Sequence, residues 1–186
     1  CSEVSPTNPF DPKTPLASRA KVTLKGQVMR RPCGEGSMVP AVGATVAVQA
    51  GDMTVKSVET DENGDYVVGE LVQGEYLARI SQERYIGTSR IFVGKAGQVT
   101  TIDTVTLEPQ RSALAGTVVR EDQPGGGITV IVRADPGDLT IAGTEVTVVT
   151  SPPEGTFRVP GLCPGVYRVA AVADGYRTHN FEEVTV

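Results

Sequence analysis

The chain has 186 residues, 21% of them charged, with a formal net charge of −5. A mildly acidic chain without a basic run gives no electrostatic reason to expect nucleic acid or an anionic membrane surface. No stretch approaches the roughly 18 apolar residues of a membrane-spanning helix, and the balance of Val, Thr, Gly and Pro reads as an all-β protein.

The first residue is Cys1, not methionine. This fits a bacterial lipoprotein whose signal peptide is cut before the cysteine that carries the lipid. A fragment that happens to begin there is the alternative. Residues 2–20 contain four prolines and no apolar period, as an extended spacer behind an anchor would. Ser2 after the cysteine, by resemblance to sorting in diderm bacteria, implies the outer membrane, with the body facing the periplasm or the cell surface.

From Lys21 the pattern becomes that of strands. Val22, Leu24, Gly26 and Val28 share one face, and Ala44, Val46 and Val48 alternate in the same way. This is the period of half-buried strands. Thr60-Asp61-Glu62-Asn63-Gly64-Asp65-Tyr66 reads as a tight hairpin turn, because Asn-Gly tolerates positive φ. Gly74 precedes an alternating Tyr76, Ala78 and Ile80. Ile91–Val93 and a single strand over Val99–Leu107 complete about seven strands, the count and spacing of a small β-sandwich.

The same pattern then returns. Gly64, Tyr66, Leu71, Gly74, Tyr76 and Tyr85 recur as Gly155, Phe157, Leu162, Gly165, Tyr167 and Tyr176, each 91 residues on. Gly26-Gln27-Val28 recurs as Gly116-Thr117-Val118 at an offset of 90, which implies one residue of loop difference between these points. A period this long means duplicated domains with separate cores, not a solenoid. The expected organisation is a lipid-anchored linker over 1–20 and β-sandwiches over 21–109 and 110–186. Ten residues follow Tyr176 where 24 separate Tyr85 from Pro109, so the second sandwich has room for one closing strand where the first has two. A short closing strand or a fragment explains this, and so would an open sheet edge that accepts a partner's strand.

Val39–Val46, Thr60–Tyr66 and Leu71–Tyr76 resemble the carboxypeptidase regulatory-like (transthyretin-like) domain. Glu154–Phe157, Leu162–Tyr167 and Asp174–Tyr176 resemble it again. The resemblance covers residues 21–186. It implies a prealbumin-like sandwich, in a family whose members are mostly non-catalytic appendages of envelope proteins, enzymes and adhesins.

With Cys1 lipidated, Cys33 and Cys163 remain. Counting strands puts both loops at the interdomain joint, which predicts a disulfide clamping the two domains; two unpaired thiols is the alternative. Asp61, Asn63 and Asp65 have the spacing that opens a calcium loop. Tyr66 stands where that loop needs glycine, so a turn is the better reading and no metal is expected. His179 is the only histidine and reads as a surface residue, since neither a metal cluster nor a nucleophile elbow accompanies it. All five tyrosines sit at repeat-equivalent positions and read as core or corner residues. With no tryptophan, a glycan site finds no support. Lys21 and Lys25 lack a partner asparagine for an isopeptide crosslink. The sequence therefore points to a non-enzymatic envelope protein without cofactors: a spacer, scaffold or accessory subunit, with glycan or small-ligand binding as the alternative.

Overall fold

The computed structural model describes residues 8–11, 13–15, 19–33, 36–121, 123–180 and 183–186, without the side chains of Gln123 and His179. Cys1 and the proposed lipid site lie outside the described residues. The described residues are all-β, with no helix, and divide into two compact units. The first runs to Arg31 and resumes over Met38–Glu108; the second takes Pro32–Ser37 and Pro109–Val186.

In the first unit nine strands form two sheets: β1 (Val22–Arg30), β2 (Val39–Pro40), β3 (Thr45–Ala50), β4 (Met53–Glu59), β5 (Asp65–Leu71), β6 (Gly74–Ser81), β7 (Thr88–Gly94), β8 (Val99–Thr101) and β9 (Val105–Leu107). One sheet has the antiparallel order β4-β3-β6-β7, and the other is centred on β1. One edge of β1 pairs antiparallel with β5 and β2, Leu24 opposite Val68 and Gly26 opposite Tyr66. The other edge pairs in parallel with β8 and β9, Thr23 opposite Val99 and Val28 opposite Val105. The segment expected as one strand over Val99–Leu107 is therefore two short strands laid along a single edge. The core forms from alternate residues of both sheets. Val22, Leu24, Val28, Val46, Val48, Val68, Ala78 and Leu107 are fully buried. Each such Val or Leu stabilises the fold by about 1.5–3 kcal/mol relative to exposure.

The second unit repeats this plan with β10 (Ser112–Thr117), β11 (Val119–Arg120), β12 (Gln123–Pro124), β13 (Thr129–Ala134), β14 (Glu145–Val149), β15 (Thr156–Leu162), β16 (Val166–Val172), β17 (His179–Asn180) and β18 (Val184–Thr185). β10 pairs with β15 as β1 does with β5, and β11 pairs with β12 as the end of β1 does with β2. The second sheet is β14-β13-β16, with β17 and β18 both on the free edge of β16. The closing segment thus takes the place of β7. Among the described residues nothing takes the place of β8 and β9.

The repeat offset is not constant through the loops. β3 reads Thr-Val-Ala-Val-Gln-Ala and β13 reads Thr-Val-Ile-Val-Arg-Ala, at an offset of 84. The connection before β13 is shorter than its counterpart, and the one between β13 and β14 is longer. The two changes cancel before Thr60 and Thr150. The offset of 90 then becomes 91 within a single turn, between Thr60 and Gly64 in one repeat and Thr150 and Gly155 in the other. The single loop difference inferred from the sequence is thus three.

Candidate functional site

The residues singled out by the repeat form one small constellation per unit. Gly64 and Gly155 sit at φ of 76° and 70°, and a Cβ at either would collide with the carbonyl oxygen of Val28 or Val118. Those two positions require glycine on both counts. Gly64 lies in a turn that joins β4 to β5, strands of different sheets, so the expected hairpin is a crossing between layers. Asp61 holds that turn: its Oδ1 accepts from the amides of Asn63 and Asp65, each at 2.9 Å. Just beyond the turn, Tyr66 is buried with its hydroxyl lacking a hydrogen-bond partner, and burial pushes its pKa up. The ring lies on Gly26, where a Cβ would come within 2.7 Å of Tyr66 Cζ. Phe157 lies on Gly116 in the same manner.

Gly74 opens β6 and Gly165 immediately precedes β16. Tyr76, two residues after Gly74, donates its hydroxyl to the carbonyl of Val72 at 2.7 Å. Its equivalent, Tyr167, donates to the carbonyl of Cys163 at 3.0 Å. Tyr85 is half-buried beneath the guanidinium of Arg30, 5.7 Å from its ring centroid. Tyr176 lies beneath Arg120 at 5.6 Å and is 45% exposed, so of the two places expected for the tyrosines, core or corner, it is outside the core. Sequence reasoning missed Thr60 and Thr150. Each is buried and accepts a backbone amide, from Ala44 and Ile128 respectively, at 2.8 Å. Each also donates to a backbone carbonyl, Ala41 or Gly125. Their common offset of 90 was the available signal.

Cys33 and Cys163 are joined in a disulfide spanning 130 residues of sequence. Cys33 belongs to the loop Pro32–Ser37, which counts with the second unit although it lies between β1 and β2 in the chain. Cys163 occupies the turn between β15 and β16, where it is buried. Arg111 reaches the same turn and donates from Nη1 to the carbonyl of Gly161 at 2.9 Å.

Several charged groups on the second unit form ion pairs. Arg133 pairs with Glu145 and Arg168 with Asp135, both at 2.6 Å. The Asp135 carboxyl is held below its usual range, first by the Gly137 amide at 2.8 Å and then by Arg168. A shallow concavity of about 900 Å³ opens beside these pairs and has no aromatic lining. His179 pairs through its backbone with Ala171. A second cleft, of about 530 Å³, is more apolar and is lined by Thr117, Val118, Val119, Ile128, Ala173 and Tyr176 among others. It lies along β11 and reaches β10 at Thr117. Among the described residues no group of three His, Cys, Asp or Glu is placed to hold a metal.

A comparison with curated protein sequences finds no match. Among solved structures, the TIE protein of Bacillus anthracis superposes with a TM-score of 0.64 at 17% identity; the match covers 90% of this chain and 31% of that one. The chain therefore spans about a third of that relative, and the likeness is one of fold. A streptococcal ancillary pilin matches at 21% identity and a TM-score of 0.38, covering 88% of this chain and 58% of that one. The major pilin subunit of Bacillus cereus matches at 11% identity and 0.41, covering 89% and 95%. The family model for the carboxypeptidase regulatory-like domain matches twice, over residues 19–108 and 113–186, and the chain belongs to that family as a tandem of two such domains.

Proposed function

We propose that this chain is a non-enzymatic, lipid-anchored envelope protein that serves as a structural spacer, scaffold or accessory subunit of a larger envelope or cell-surface assembly. The observation that carries this reading is the Cys33–Cys163 disulfide. It ties a loop of the first repeat to the second, so covalent links join the two repeats there as well as at Glu108–Pro109. Such a cross-link restricts the unfolded chain and so resists unfolding, which suits a structural part. In this reading Cys1 carries the lipid in the outer membrane and residues 2–20 give reach. The body, facing the periplasm or the surface, contacts other envelope proteins. The paired charges and the repeated turn and core residues offer no acid–base or nucleophilic group a distinctive setting.

Mild-detergent extraction of native membranes followed by affinity purification tests this. The expected result is a membrane-associated protein that co-elutes with a protein partner in fixed ratio. Recovery from the soluble fraction with no partner would overturn it. A second reading, a glycan- or small-ligand-binding module, is favoured by one observation, the exposed ring of Tyr176 at the mouth of the apolar cleft. A glycan screen in which Tyr176→Ala abolishes a specific signal would support that reading.

A further inference from the structure

The outer face of the sheet β14-β13-β16-β17 carries a feature that its counterpart in the first unit lacks. Arg133 and Arg168 stand directly opposite each other on adjacent strands. At the equivalent place in the first unit Gln49 stands opposite Leu77, so the fold does not require two arginines there. Like charges in direct cross-strand register destabilise a sheet, and the second unit offsets this with carboxylates. Glu145 faces Arg133 from β14 and accepts from its Nε at 2.6 Å. Asp135, just after β13, accepts from Arg168 Nε at 2.6 Å. Glu183 lies farther away, 3.6 Å from Arg168 Nη2, and both of those side chains are more than half exposed.

These contacts use Nε and Nη2 of the two guanidinium groups and leave Nη1 of each outside them. Both arginines line the concavity of about 900 Å³, whereas Asp135 and Glu145 do not. Among the described lining residues Glu183 is the one acid against two guanidinium groups. The lining therefore carries an excess of positive charge on a chain whose net charge is −5. In the next cross-strand row the surface turns apolar. Ile131 lies opposite Ala170, and both line the concavity together with Val172. Asn180 borders it from β17, opposite Ala170. Two adjacent cationic donors thus stand beside a small aliphatic floor, with no aromatic ring among the described lining residues on which a sugar would stack.

We propose that this concavity binds an acidic peptide segment of a partner protein. A glutamate or aspartate carboxylate of that segment bridges Arg133 and Arg168, and a neighbouring aliphatic side chain rests on Ile131, Ala170 and Val172. The incoming carboxylate takes the place of Glu183, whose contact with Arg168 is the longest of the set. Asp135 and Glu145 stay on the two Nε groups and hold the guanidinium planes in position. Hydrogen bonds between guanidinium and carboxylate are about twice as strong as neutral ones, and their planar geometry selects for the carboxylate. The aliphatic floor adds apolar area to the contact. The inference rests on the scaffold reading and names one contact that such a subunit makes.

The test is an NMR titration of the whole chain, at low salt, with a Val-Glu-Val peptide capped at both ends. Saturable shifts are expected at the backbone amides of Arg133, Arg168, Ala170 and Asn180. A capped Val-Gln-Val peptide should bind about tenfold more weakly or worse, and added salt should weaken the binding of the acidic one. Arg133→Gln with Arg168→Leu installs the pair that the first unit already carries. It should abolish the shifts and leave the hydrogen exchange of Val130 and Val132 unchanged. Glu183→Gln removes the competing carboxylate and should tighten binding, a gain that a purely structural row of ion pairs would not give. Equal binding of the two peptides, or no saturable shift on β13 and β16, would overturn the inference. Free glutarate bound as tightly as the peptide would overturn the assignment to a protein segment. A native partner captured equally well by the double variant would overturn this contact and leave the scaffold reading intact. Recovery of no protein partner would remove both.

Discussion

The hydroxyl of Tyr167 donates to the backbone carbonyl of Cys163 at 3.0 Å, so one side chain of β16 fixes the turn that carries the disulfide. Tyr76 does the same for Val72 in the first repeat, in a turn that carries no cysteine. The tyrosine bond is therefore a fixture of the fold onto which the second repeat adds a covalent link. Tyr167 is fully buried, and removing its hydroxyl would leave a buried carbonyl without that donor. Tyr167→Phe should cost about 1–3 kcal/mol. Tyr76→Phe, with its hydroxyl nearer solvent, should cost about 0.5–1.5 kcal/mol. Urea unfolding of each variant measures this, and a neutral Tyr167→Phe would show that the bond does not hold the turn.

The constellation was legible where the side chain itself is scarce and its place is fixed. Gly64, Gly155 and the aromatics Tyr66, Phe157, Tyr76 and Tyr167 stand out because few residues can replace them there. Thr60 and Thr150 did not stand out, since threonine before a turn is ordinary and its role depends on two backbone groups far along the chain. The likeness of Thr45–Ala50 to Thr129–Ala134 was hidden because loops on either side change length in opposite directions. Tyr176 was read as a core or corner residue because it repeats Tyr85, and Tyr85 packs against the core. In the first unit the chain after β9 returns to that region, with the Ile86 amide donating to the carbonyl of Glu108 at 2.8 Å. Nothing among the described residues covers Tyr176 in this way.

The buried threonines carry a sharper penalty than their size implies. Thr150 accepts from the Ile128 amide and donates to the Gly125 carbonyl, tying the entry to β13 to the turn before β15. Thr150→Val keeps the volume and leaves both backbone groups unsatisfied in a buried site, a loss of about 2–4 kcal/mol. Thr150→Ser should recover most of it. A valine variant as stable as the parent in denaturant titration would contradict this account.

Alkaline pH should destabilise the protein through its tyrosines. Burial pushes the pKa values of Tyr66, Tyr76 and Tyr167 above their ordinary value of 10.0. The folded state therefore favours the protonated phenols more than the unfolded state does. Their contribution is fully present below about pH 10, and is lost as pH rises from there through the folded-state values. Thermal melts at increasing pH should show Tm falling from about pH 10 upward, and Tyr66→Phe should reduce the slope. A Tm that held steady while the phenolate absorbance rose would mean these hydroxyls ionise without cost in the folded state.

Reduction of the disulfide should weaken the two units unequally. The bond joins positions 130 residues apart, and closing so long a loop restricts the unfolded chain by an amount usually worth about 2–4 kcal/mol. Because Pro32–Ser37 counts with the second unit, the loss should fall there. Hydrogen exchange reads the two cores separately. With reductant, or in Cys33→Ser, the amides of Val130 and Val132 should exchange about 30-fold faster or more, the equivalent of 2 kcal/mol. Those of Val46 and Val48 should change by less than about fivefold, because β3 belongs to the first unit and neither cysteine does. An equal acceleration in both cores would mean that the bond stabilises the tandem as a single cooperative body, and no acceleration in either would mean that the loop is held in place without it.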